Sequence, residues 1–167
     1  RGNVAVSEVD GSGQAITVLV DAQRVEGVEL GLAGKFTENW SVMAGYAYQD
    51  GRITHNQSAT APAGNVLPQL PRHSASLWNR YDLSERWGLG LGVIHRGDSY
   101  ASTDNTVVLP GYTRFDAAIY CEVNESVGLQ LNIENVFNRS YYATAHSNNN
   151  ITPGAPRAAW LSLNLAF

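Results

Sequence analysis

Between Val127 and Glu134 the chain alternates without an error: Val127, Leu129, Leu131 and Ile133 on one side, Gly128, Gln130, Asn132 and Glu134 on the other. A period of two is the period of an extended strand. In that conformation successive side chains point to opposite faces, so one face here is wholly apolar and the other mostly polar. The last strand repeats the pattern, with Leu161, Leu163, Leu165 and Phe167 opposed to Trp160, Ser162, Asn164 and Ala166. Phe115, Ala117, Ile119, Cys121 and Val123 oppose Arg114, Asp116, Ala118, Tyr120 and Glu122, which puts the three charges on one side. Trp87, Leu89, Leu91 and Val93 oppose Gly88, Gly90, Gly92 and Ile94, while in the preceding strand Asn79 interrupts the apolar set of Leu77, Tyr81 and Leu83. The chain therefore reads as all-β and antiparallel, with strands near 1–9, 15–36, 40–52, 72–84, 87–98, 112–123, 126–137 and 157–167.

The connections between these strands alternate in length. Thr37 to Asn39, Ser84 to Arg86 and Asn124 to Ser126 are tight, whereas 53–71, 98–111 and 138–157 are long. A soluble sandwich has no reason to collect its long loops at one end. An outer-membrane barrel does, having short periplasmic turns and long extracellular loops. Charge placement agrees, because a Lys or Arg on the lipid face near mid-membrane costs roughly 2–4 kcal/mol. Glu29, Lys35, Arg80, Asp82, Arg114, Asp116, Glu122 and Glu134 all fall on the side away from the apolar stripe. Trp40, Trp87 and Phe167 lie beside the short turns and Tyr46, Tyr48, Tyr100 and Tyr112 toward the long loops, as two interfacial girdles would.

Composition excludes several functions. A net charge of −4 with 11 Lys and Arg scattered along the chain gives no basic patch for nucleic acid. The lone Cys121 and the dispersed His55, His73, His95 and His146 show no metal-ligand spacing. No motif context gathers Ser, His and Asp into a catalytic triad, so the chain does not read as an enzyme. The Asn148–Asn150 run has the composition of a solvated loop.

The stretch Asn132-Ile-Glu-Asn-Val-Phe-Asn-Arg-Ser-Tyr-Tyr142, followed by Pro153-Gly-Ala-Pro-Arg157 and a strand ending in Phe167, resembles the closing segment of the TonB-dependent siderophore receptors. Arg24-Val-Glu-Gly-Val-Glu29, Tyr46-Ala-Tyr-Gln-Asp50, Leu67-Pro-Gln-Leu-Pro-Arg-His73, Ser76-Leu-Trp78 and Leu109-Pro-Gly-Tyr112 resemble that family's motifs in the expected order. The resemblance covers nearly all of 1–167. It implies a transmembrane barrel of about 22 strands, of which these are the C-terminal eight or so, with a plug domain that has no counterpart here.

It further implies an outer-membrane receptor of a Gram-negative bacterium that takes up a ferric siderophore, energised through the TonB complex. Iron would be carried by its chelator, with no cofactor in the protein. Aromatic and cationic side chains near the long loops suit such ligands, which stack on rings and pair with guanidinium. Arg96, Tyr100, Tyr141, Tyr142, His146 and Arg157 are the candidates. Against this stand packing roles for the tyrosines and a lumenal carboxylate partner for Arg157. The terminal Phe167 is the expected signal for the barrel assembly machinery. Two other readings remain open at this stage: a small self-contained eight-stranded barrel serving as anchor or adhesin, and a soluble all-β binding domain.

Overall fold

The computed structural model describes residues 2–9 and 11–166. The expectation for Phe167 lies outside the described residues. Eight strands form one antiparallel sheet: β1 (Gly2–Val9), β2 (Ala15–Lys35), β3 (Trp40–Ile53), β4 (His73–Asp82), β5 (Trp87–Arg96), β8 (Tyr112–Asn124), β9 (Val127–Glu134) and β12 (Ala158–Leu165), neighbours in that order. Two small hairpins sit inside the long connections. These are β6 (Ser99–Tyr100) with β7 (Val108–Leu109), and β10 (Tyr142–Ser147) with β11 (Asn150–Pro153).

The expected strand count holds, but the first strand is not part of the same wall. β1 pairs only with Ala15–Gln23, while β3 pairs with β2 from Gln23 down to Lys35. The β1–β2 ribbon thus rises past the top of the sheet, and the wall proper begins with the lower half of β2. The alternation around Val4 and Val6 marks an extended strand and says nothing of its height in the sheet.

Tight turns close the opposite end. The Phe36 amide donates to the Trp40 carbonyl at 2.9 Å and the Leu83 amide to the Trp87 carbonyl at 2.8 Å. Each turn is also tied sideways, with the amides of Asp82, Glu122 and Ala166 donating to the carbonyls of Asn39, Arg86 and Ser126 at 2.8, 2.8 and 3.0 Å.

The register sorts every side chain onto a face, since directly paired residues point the same way. One row on the outward face runs Leu32, Ala44, Leu77, Val93, Phe115. Another runs Trp40, Tyr81, Leu89, Ile119, Leu131, Leu161. Among the described residues these rows stay open: Tyr81 is 50%, Leu89 43% and Leu161 68% exposed. Each such leucine left in water forgoes about 2 kcal/mol of burial. A soluble sandwich would bury this face against a second sheet of comparable size, and besides the main sheet the described residues form only the two two-stranded hairpins. The face is built for lipid. Asn79, polar on that face, accepts a 3.3 Å hydrogen bond from the Trp40 indole near the short-turn end, and His95 and Thr113, also outward, lie 2.9 Å apart toward the long loops.

The other face is polar and crowded at its centre. Gly90 and Gly92 lie beneath Trp78, whose ring a Cβ at either position would meet at 2.6 or 2.5 Å. Tyr120 lies beside it with the Arg80 guanidinium 4.3 Å above its ring, and Arg80 Nε donates to Asp82 at 2.9 Å. The glycine stripe of β5 is therefore the bed of an indole.

Candidate functional site

The three long connections converge above the inward face and are fused to one another. Gln69, at φ +56°, is their meeting point. Its amide donates to the Tyr100 carbonyl at 2.8 Å and its own carbonyl accepts from Arg96 Nη2 at 2.6 Å. Its side-chain oxygen takes the Thr144 hydroxyl and the Ala145 amide. Asn105 adds a two-point clasp, accepting from the Val66 amide at 2.8 Å and donating to the Val66 carbonyl at 2.9 Å. Asn148, expected in a free solvated run, donates to Asp104 at 2.7 Å and to Thr106 at 3.0 Å, and Asn150 opens β11. Composition describes solvation well but cannot see a partner some forty residues away.

The hydrophobic cluster among the described residues lies in this cap, where Ala101, Leu109 and Ala145 pack with Val107 and Ile151. Among the described residues the buried apolar cluster thus sits in the loops, where it ties the second long connection to the third.

Beneath the cap, the inward face carries the row Glu29, Ala47, Ser74, Arg96, Tyr112. It forms one wall of a groove of about 610 Å³ that reaches up to Gln69. Tyr112 stacks on Tyr141 with ring centroids 4.2 Å apart. Arg114 donates to the Tyr141 hydroxyl at 3.2 Å and to Asp116 at 2.9 Å, with Glu134 at 3.8 Å. Asp116 in turn accepts the Asn135 amide at 2.8 Å. Asn135, 1% exposed and at φ +51°, spends its side chain on the carbonyls of Arg139 and Ala155 and the amide of Arg139. This buried knot fixes where the third loop leaves the wall. Arg96 has no carboxylate within ion-pairing distance among the described residues. Its guanidinium donates to the Gln69 carbonyl, and Tyr112 is its direct cross-strand neighbour.

Of the candidate residues, Arg96 belongs to this wall, while Tyr141, whose ring lies against Tyr112, lines a neighbouring groove. Tyr142 is exposed at that same groove, of about 440 Å³, with Pro110 and Arg139. Tyr100 lines a different depression, with Arg52, Arg72 and His73. His146 is exposed on β10. Arg157 reaches a backbone carbonyl, that of Val136, at 3.5 Å, and pairs with no carboxylate among the described residues. Tyr112, expected in the outer girdle, faces inward. The signal was present: the alternation that turns Arg114 and Asp116 inward carries Tyr112 with them. Tyr46 and Tyr48 do take the outward positions expected of them, beside His73.

Residues 2–136 match the protein family described as TonB dependent receptor-like, beta-barrel. The chain is 32% identical over 157 residues to a protein of Acinetobacter baumannii named probable TonB-dependent siderophore receptor PiuA, covering 89% of this chain and 21% of that protein. It is 31% identical over 150 residues to the catecholate siderophore receptor Fiu of Escherichia coli K12, covering 87% of this chain and 20% of Fiu. The crystal structure of PiuA superposes with a TM-score of 0.81 at 29% identity, over 98% of this chain and 24% of that one. The chain spans about a fifth of the length of these relatives.

Proposed function

Since the chain belongs to the TonB-dependent receptor family and forms part of its outer-membrane β-barrel, we propose that it supplies wall and loop cap to a receptor for ferric siderophores. The observation that carries this reading is the inward row below the cap, where Arg96, without a carboxylate partner among the described residues, pairs with Tyr112, whose ring lies 4.2 Å from that of Tyr141. Chelates of ferric iron offer anionic oxygens and flat aromatic surfaces. A guanidinium beside stacked phenols meets both.

The work is binding and passage. The preformed cap and the inward groove hold the chelate, and no covalent step is asked of the protein. The plug and the segment that contacts the TonB complex would be supplied outside these residues, as would the strands that close the barrel. Closure is required physically. The edge of β2 below Gln23 and the free edge of β12 have no neighbouring strand among the described residues, and unpaired backbone groups in hydrocarbon cost several kcal/mol each. Delivery to the membrane would pass through the barrel assembly machinery.

The test is titration of the complete receptor with ferric catecholate and hydroxamate chelates, read by quenching of intrinsic fluorescence. Saturable binding of an iron chelate, weakened about tenfold by Tyr112→Ala, is expected for the loss of one stacking contact and its support. Saturable binding of no iron chelate would overturn the reading.

A further inference from the structure

The inward groove carries a second charge, at the end away from Tyr112. Residues paired across the sheet run Glu29, Ala47, Ser74, Arg96 along its wall, so Glu29 and Arg96 lie three strand spacings apart. At about 4.8 Å per spacing their backbones are about 14 Å apart. A carboxylate and a guanidinium held that far apart in a water-filled groove attract each other only weakly. Neither forms an ion pair among the described residues. Arg96 is tied to the Gln69 carbonyl, and Glu29 accepts the Gln49 side-chain amide at 3.3 Å, a neutral partner that orients the carboxylate and leaves its charge in place.

Between the two ends the floor is low. Ala47 and Ser74 form one row and Gly45 and Ser76 the next, so no side chain of β3 or β4 in these rows is larger than serine. Leu70 and Pro71 line the same groove from the first long loop. The result is a slot with a charge of each sign at its ends, a small floor and an apolar rim. Its volume of about 610 Å³ suits a ligand of drug size. A wholly anionic ligand would meet Arg96 and be repelled at Glu29. A ligand with anionic oxygens at one end, a run of methylenes and a protonated amine at the other satisfies both ends and lays its arm along Leu70 and Pro71.

We propose that Glu29 is the specificity-determining residue of this groove and selects ferric chelates that carry a primary ammonium on an arm, held at Glu29 while the iron-binding oxygens face Arg96. The inference rests on the inward groove being the chelate site, and adds a charge requirement that this reading alone does not contain.

The experiment titrates the complete receptor with two pairs of ferric chelates, read by quenching of intrinsic fluorescence. One pair is the iron complex of dihydroxybenzoyl-lysine amide with and without acetylation of the lysine amine. The other is a ferric trihydroxamate ending in a primary amine, again with and without acetylation. Acetylation keeps the iron centre and removes the positive charge. In at least one pair the amine form should bind about tenfold tighter, the usual weight of one charge-assisted contact. Glu29→Gln should abolish that difference by weakening the amine form, with the acetylated form unchanged within about twofold. Arg96→Lys, at the other end, should weaken both forms by the same factor. Glu26→Gln, an outward carboxylate already held by Arg24, should change neither. Heat-modifiable gel migration reports the folding of each variant. Binding of iron chelates with no advantage for the amine form in either pair, or an advantage that survives Glu29→Gln, overturns the inference and leaves the receptor reading standing. Binding of no iron chelate at all overturns both.

Discussion

Arg96 Nη2 donates to the main-chain carbonyl of Gln69 at 2.6 Å, which joins the end of a wall strand to the residue where all three long loops meet. Gln69 holds φ +56° without being Gly or Asn, a conformation that costs about 1 kcal/mol and persists because surrounding contacts impose it.

Gln69→Ala keeps that backbone cost and removes the side-chain oxygen that takes Thr144 and Ala145. Amide exchange should speed up in 135–157 as well as in 54–72, with local stability falling by about 1–2 kcal/mol. A change confined to 54–72 would show that the loops are not one unit.

Adding a side chain at Gly90 should displace the Trp78 indole. Gly90→Val is expected to destabilise the folded barrel by about 1–3 kcal/mol in urea unfolding from lipid vesicles, as overpacking does. In a Trp78→Ala background the same change should cost clearly less, because its closest clash is gone and only the 3.2 Å approaches to Ala118 and Tyr120 remain.

Acid should loosen the cap. The Asp104 carboxyl is held below its ordinary value of 3.8, first by the hydrogen bond from the Thr106 amide and then by the Thr106 hydroxyl and the Asn148 side chain. A lowered folded value means that the charged form is favoured by the folded cap. Its contribution is complete above the ordinary carboxylate range and is lost as the pH falls through the lower folded value. Amide exchange at Thr106 should rise over that acid window, and Asp104→Asn should remove the dependence.

Much of the wall was legible because its alternation has a period that only extended chain can satisfy. Val127–Glu134 and Trp87–Val93 were sorted correctly by parity alone. The outward girdle of Tyr46 and Tyr48 and the inward charges of Arg80, Asp82, Arg114 and Asp116 followed from the same rule. The site was less legible, because it is made by contacts that alternation does not encode. Gln69 with Thr144 and Asn148 with Asp104 are side chains far apart in sequence, joined in irregular loops. Parity turns Arg114 inward, but its role as the hub between Tyr141, Asp116 and Glu134 appears only once the third loop folds back over the wall. β1 shows the remaining gap, since pairing height is set by hydrogen-bond register and not by side-chain pattern.

The account stands on the outward face of the sheet meeting lipid. Its most direct test is a nitroxide scan of Gly128–Ile133 on β9, in the complete receptor with Cys121 replaced by Ala, comparing accessibility to oxygen and to a water-soluble nickel complex. The prediction is a period of two in which Leu129, Leu131 and Ile133 favour oxygen while Gly128, Gln130 and Asn132 do not. The opposite phase, or oxygen and nickel accessibility without alternation, would contradict it.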